Sequence, residues 1–144
     1  MEIYRTFIGV PVQVENEFLR ARGEMMVRLS RERISWVDPD RYHVTIRFIG
    51  DTSPKLLEAI GDSLKTGLTV PAISGVRLGQ VGSFGPRKKP RVVWLGFGEQ
   101  TLFKALKTQV DGLLESCGIP AVDQPFTAHL TLGRIRSLRE TDYF

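Results

Sequence analysis

The sequence predicts an α+β fold built twice: two lobes related by a pseudo-twofold axis, antiparallel sheets lining a central cleft, and helices on the outer faces. Three observations predict it. The order strand, helix, Val-Asp turn, His-x-Thr strand runs over about 3–50 and returns over about 92–135. Val37-Asp38 precedes His43 at nearly the distance by which Val122-Asp123 precedes His129. The chain has 2 histidines, and each opens a His-x-Thr-apolar tetrad, His43-Val44-Thr45-Ile46 and His129-Leu130-Thr131-Leu132. Self-similarity of this kind is what a duplicated fold leaves in a sequence. The expected organisation is one domain, residues 1–144, with two pseudo-symmetric lobes.

Taken in order, Ile3 to Val10 is apolar and β-branched, and Gly9 and Pro11 bring it to an end, so it reads as a strand. Val14, Phe18, Ala21, Met25 and Leu29 recur at helical spacing and predict an amphipathic helix over Val12–Ser30. Gly23 weakens that helix by roughly 1 kcal/mol against alanine. Trp36 to Pro39 reads as a short edge segment and turn, and His43 to Gly50 as a strand. Ser53-Pro54 has the form of an N-cap followed by proline in the first helical position. Leu56, Leu57, Ile60 and Leu64 give that helix its face, and Gly67 ends it.

Ala72–Leu78 and Gln80–Phe84 read as two short strands, followed by a basic, turn-rich loop that contains Arg87, Lys88, Lys89 and Arg91. Val92–Phe97 is a strong strand. Leu102, Leu106, Val110, Leu113, Leu114 and Cys117 mark a third helix, with Gly118 as its stop and Pro120 beyond. Ala128–Ile135 is the second His-x-Thr strand, and nothing is assigned from Arg136 onward.

Composition narrows the functional classes. The 144 residues are 42% hydrophobic and 25% charged, as in an ordinary globular protein. A net charge of +4 suits an anionic ligand such as RNA or a nucleotide. The single cysteine, Cys117, cannot close an intramolecular disulfide and reads as a structural residue on a helix face, in keeping with a reducing, cytoplasmic setting. The first residues have no charged segment followed by a long apolar run, so no signal peptide is expected, and no stretch approaches the ~20 apolar residues of a membrane span.

Side chains alternate along a strand, so His-x-Thr sets an imidazole and a hydroxyl on one face. Two such strands facing each other bring together two imidazoles and two hydroxyls. A catalytic zinc site takes three protein ligands. Here the available carboxylates, Asp38, Asp40, Asp51 and Asp123, lie at turns, so neither a metal nor any other cofactor is expected. No Gly-x-Ser-x-Gly nucleophile motif is present. Two imidazoles flanking a phosphate can instead act as acid and base, with the threonine hydroxyls donating to the non-bridging oxygens. That is a complete, metal-free way to open a phosphodiester. Arg47 shares the parity of His43 and Thr45 and is expected to face the same cleft. Arg134 is out of step with His129 and Thr131, so joining them requires a bulge or strong twist, which Gly133 would permit.

The pair His43-x-Thr45-x-x-Phe48-Ile49-Gly50 and Pro125-Phe126-x-x-His129-Leu130-Thr131-Leu132-x-Arg134 resembles the two-histidine (2H) phosphoesterase superfamily, and within it the RNA 2′,3′-cyclic phosphodiesterases, also called 2′-5′ RNA ligases. Arg5-Thr6-Phe7-Ile8-Gly9-Val10, Gly82 to Pro86 and Pro90 to Trp94 extend the likeness over nearly the whole chain. The resemblance implies hydrolysis of cyclic phosphate ends of RNA or nucleotides to 2′-phosphates, with His43 as acid and His129 as base. It implies phosphate contacts from Thr45, Thr131 and Arg134, and base stacking on Phe7. Implied partners are RNA ends or nucleotides, tRNA fragments among them; a monomer is expected. Two alternatives stay open at this point: ligation, in which a 5′-hydroxyl replaces water, and a non-catalytic RNA- or nucleotide-binding module. The resemblance also implies a further helix and strand after Arg134. Without them a strand edge is expected to be exposed and to pair, for example with a second copy.

Overall fold

The computed structural model describes residues 2–69, 78–84 and 91–139. Among them six strands and three helices follow in the order β1 (Tyr4–Pro11), α1 (Asn16–Arg28), β2 (Arg33–Trp36), β3 (His43–Thr52), α2 (Pro54–Gly67), β4 (Leu78–Phe84), β5 (Val92–Phe97), α3 (Thr101–Ser116) and β6 (His129–Ser137). The fold is α+β with antiparallel pairing, as expected. The expected strand over Ala72–Leu78, apart from Leu78, and the basic loop residues Arg87, Lys88 and Lys89 lie outside the described residues.

The chain divides into two compact units that interleave along the sequence. One comprises Met1–Val10, Thr45–Arg77 and Phe97–Ala128. Here β1 lies beside β3. Thr52 donates a hydrogen bond to the Tyr4 carbonyl at 3.1 Å, and its hydroxyl also bonds that of Thr6. α2 begins where proposed, with the Ser53 hydroxyl accepting from the Leu56 amide at 3.2 Å. It packs against α3 so closely at Gly67 that an added Cβ would stand 2.3 Å from a Leu113 methyl. Ile46, Ile60, Phe103, Leu106, Val110 and Leu114 form the buried core of this unit. α3 ends at Gly118, whose φ of +85° is the left-handed conformation that favours glycine.

The other unit comprises Pro11–Val44, Leu78–Gly96 and His129–Phe144. Its strands run in the order β3, β6, β5, β4, and β2 also pairs with β6. Leu29, Tyr42, Val44, Val93, Leu95, Leu130 and Leu132 make its core. The helix expected from Val12 starts at Asn16 instead, and the Val12 amide donates to the Tyr42 carbonyl at 2.9 Å. β2 was expected only as a segment starting at Trp36; it is a four-residue strand whose partner is the far half of β6, Ile34 opposite Ile135 and Trp36 opposite Gly133.

Candidate active site

The antiparallel register pairs Val44 with Leu130, and both are fully buried. Their strand neighbours therefore point to the opposite face. In that register His43 stands across from Thr131, and His129 is its diagonal neighbour, which on an antiparallel pair means a separation of about 7–8 Å. His43 and His129 thus share one face of one unit, with Thr131 beside them. Thr45 follows on β3, two residues from His43 and on the same face of that strand.

Each histidine is held by its own local structure. His43 comes after a single 3₁₀ turn, Pro39–Arg41, which is capped by Asp38 as its carboxylate accepts from the Asp40 amide at 3.0 Å. Arg22 on α1 donates to the Val37 carbonyl just before the turn at 3.1 Å, and Tyr42, 2% exposed, meets Phe18 of α1 edge to face. The Nδ1 of His43 lies 2.9 Å from the Arg41 carbonyl oxygen. A carbonyl only accepts, so Nδ1 carries its proton and donates it to Arg41.

His129 stands edge to face with Trp94 of β5, centroids 6.4 Å apart. The indole is seated over two glycines: an added Cβ would approach it within 2.5 Å at Gly82 and 3.1 Å at Gly96. The residue before His129 is clamped from the start of α3. Gln100 accepts from the Ala128 amide at 2.8 Å and donates to the Ala128 carbonyl at 3.1 Å, satisfying both polar groups of a residue that is 1% exposed. Neither Gln100 nor Trp94 was among the site residues expected from sequence. Gln100 belongs to no motif, and Trp94 closes the Pro90 to Trp94 stretch of the resemblance without a role attached to it.

The step that Arg134 required is present. On β5, Val93 faces Gly133 and the next residue, Trp94, faces Thr131, so Leu132 is an extra residue in β6. This bulge sends Leu132 and Gly133 both inward and returns Arg134, opposite Val92, to the face that carries Thr131 and Trp94. Gly133 also lets β2 approach, since a Cβ there would lie 2.9 Å from an Ile34 methyl and 3.3 Å from the Ser35 carbonyl oxygen.

β3 repeats the exposure sequence of β6 over its first seven residues, with two successive buried positions at Ile46 and Arg47. Arg47 is therefore turned inward, contrary to its expected place facing the site. It is 7% exposed, bonded by Nη1 to Asp111 at 2.8 Å and by Nη2 to the Pro120 carbonyl at 2.6 Å. The parity count fails because alternation breaks at Ile46-Arg47. Phe48 then takes the outward position that Arg134 occupies in β6. It is 55% exposed, with the Arg5 guanidinium 5.4 Å from its ring centroid. Phe7 on β1 is 46% exposed. Among the described residues no three His, Cys, Asp or Glu side chains come together as a metal site, and no helix is long and apolar enough to cross a membrane.

Residues 8–94 match the family described as LigT like Phosphoesterase. An RNA 2′,3′-cyclic phosphodiesterase of Geobacillus stearothermophilus is 28% identical over 128 residues, 89% of this chain and 41% of the relative. One from Aeropyrum pernix is 32% identical over 104 residues, 72% of this chain and 58% of the relative. The chain thus spans well under two thirds of the length of either. Among solved structures, Escherichia coli LigT complexed with 3′-AMP superposes with a TM-score of 0.69 at 21% identity, covering 96% of this chain and 77% of that one. With the family match extending over more than half of its length, the chain belongs to the LigT-like phosphoesterases of the two-histidine superfamily.

Proposed function

We propose that this chain hydrolyses 2′,3′-cyclic phosphate ends of RNA or nucleotides to 2′-phosphates, without a metal, by acid–base exchange between His43 and His129. The observation that carries the reading is the Val44–Leu130 register, which makes the two histidines diagonal neighbours on one face with Thr131 beside them. About 7–8 Å between diagonal positions leaves room for one phosphate between two imidazoles. The name shared by the Geobacillus and Aeropyrum relatives and the 3′-AMP in the E. coli LigT structure support the same ligand class.

In this reading His129 takes a proton from water as the water oxygen attacks phosphorus. The bond from phosphorus to the 3′ oxygen breaks, and that oxygen takes a proton from Nε2 of protonated His43. The bond from His43 Nδ1 to the Arg41 carbonyl persists through the cycle and keeps the ring oriented. The hydroxyls of Thr45 and Thr131 donate to the non-bridging oxygens, and Arg134, aimed by the bulge, neutralises the charge that builds there. Phe7, which the family resemblance assigns to stacking on the terminal base, is 46% exposed.

The test is to incubate RNA with a 2′,3′-cyclic end in EDTA, with and without a second strand bearing a 5′-hydroxyl. The expected product is a 2′-phosphate end in both cases. A 2′-5′ joined product would move the assignment to ligation, and a need for added Mg²⁺ or Zn²⁺ would remove the two-histidine mechanism.

A further inference from the structure

We infer that Arg136 extends the site along β6 and binds the phosphodiester on the 5′ side of the terminal nucleotide, so that Arg134 and Arg136 form a short track for an RNA strand. This rests on the reading of the site given above. The register carries it. Ser35 pairs with Arg134, Ile34 with Ile135, and Arg33 with Ser137, so Arg136 is skipped and lies in a second irregularity of β6. Its Nε donates to the Ser35 hydroxyl at 3.1 Å. Ser35 stands opposite Arg134, so the Arg136 side chain runs over the face that already holds Arg134, Thr131 and His129.

Two residues of strand separate the two arginines by about 7 Å, which suits successive phosphates of an extended nucleic-acid chain. The Ser35 bond uses Nε and leaves the two terminal nitrogens of Arg136, the fork that grips a phosphate. Both arginines are exposed, and among the described residues neither has a carboxylate partner. Glu32, which begins the approach to β2, is occupied by the Arg139 amide. Two adjacent guanidiniums with no carboxylate partner among the described residues favour an anion between or above them. A cyclic mononucleotide has one phosphate, which Arg134 serves. A second, anchored arginine on the same face has work only if the substrate carries a second phosphate. The track therefore favours an RNA chain over a free cyclic nucleotide as ligand.

The experiment compares binding of adenosine 2′-phosphate with that of a diribonucleotide ending in a 2′-phosphate, by titration calorimetry, for the unaltered chain, Arg136→Ala and Arg136→Lys. The unaltered chain is expected to bind the dinucleotide about tenfold more tightly, the value of one charge-assisted contact. Arg136→Ala should lose most of that advantage while its affinity for adenosine 2′-phosphate moves by less than about twofold. The salt dependence of dinucleotide binding should fall by about one ion. Arg136→Lys, which keeps charge without the fork, should fall between. Equal affinity of the unaltered chain for both ligands overturns the track, as does an equal weakening of both by Arg136→Ala. Turnover of cyclic ends is read separately: its absence, with the dinucleotide preference intact, removes the hydrolytic reading and leaves the track.

Discussion

His43 and His129 begin strands with the same order of exposed and buried residues, yet the groups that hold each histidine have little in common. His43 is fixed by main chain, through the Arg41 carbonyl after a capped turn. His129 is fixed by side chains, with Gln100 clamping the residue before it and Trp94 against its ring. Beyond the shared tetrad the strands exchange chemistry. β3 sends an arginine inward and a phenylalanine outward, whereas β6 sends a glycine inward and an arginine outward. The two strands share the order of positions and differ in what supports them. His129 thus begins the strand that carries the outward Arg134, and His43 the strand that carries the outward, exposed Phe48.

The largest effect tests that inequality directly. His43→Ala and His129→Ala should each lower turnover of a cyclic phosphate end by about 10²–10⁴-fold. Their residual pH profiles should differ in kind. Without the acid at His43 the alkaline limb disappears, and without the base at His129 the acid limb disappears. Finding the limbs exchanged would reverse the assignment while keeping the mechanism.

Next in size is the bulge. Gly133→Val places a branched side chain where a Cβ already stands 2.9 Å from an Ile34 methyl, so β2 must move or the bulge must close. Either response misdirects Arg134, and turnover should fall by about 10²-fold, the size of losing one donor to the developing charge. Adding Ile34→Ala to the same chain should recover part of that loss. A Gly133→Val protein with undiminished turnover would mean that Arg134 does not act on phosphate. The matching position in β3 is Arg47, a large residue, so no comparable sensitivity to size is expected there.

A smaller effect separates the two supports. Gln100→Glu keeps the acceptor for the Ala128 amide and loses the donor to its carbonyl. Entry to the His129 strand loosens, and kcat should fall by about tenfold with KM unchanged, because a histidine slightly misplaced still binds substrate but transfers its proton poorly. Gln100→Ala should fall further. A rise in KM alone would place Gln100 in substrate binding instead of positioning. His43, held by its own main chain, has no such side chain to remove.

These differences explain what could be read from sequence. The tetrads were visible because two histidines with threonine at the same offset form a local pattern. The Val92–Phe97 strand and the Ser53-Pro54 helix start are local signals too, and both are found. β2 was seen only at its end because Arg33-Ile34-Ser35-Trp36 alternates over four residues alone, too short a run to stand out without its partner β6. The expected helix start at Val12 gave no sign that its amide pairs with the Tyr42 carbonyl, a partner distant in sequence. Gln100 was invisible because a glutamine at a helix start has no signature; its meaning comes from Ala128. The β6 bulge was legible because the odd parity of Arg134 demanded one, whereas the break at Ile46-Arg47, which buries Arg47, left no such mark in β3.

Arg47 gives the smallest expected change in activity and the clearest change in stability. Asp111 is partly buried, which raises its pKa, but its bonds and charge interactions with Lys107 and Arg47 outweigh this and hold the carboxyl below its ordinary value of 3.8. A carboxylate depressed in the folded state contributes stability above its unfolded pKa and loses it as pH falls through the folded one. Stability should therefore begin to drop below about pH 4. Asp111→Asn should flatten that part of the curve and cost about 3 kcal/mol at neutral pH, the low end for breaking a buried pair, since the Asp111 side chain is 22% exposed. Arg47→Met should cost less, because Asp111 keeps Lys107. Below the melting temperature both proteins should turn over substrate within about twofold of the unaltered chain, an effect no larger than a surface change. If folded Arg47→Met were instead inactive, the arginine would reach substrate as its parity first suggested, and the inward pair with Asp111 would be only one of its positions.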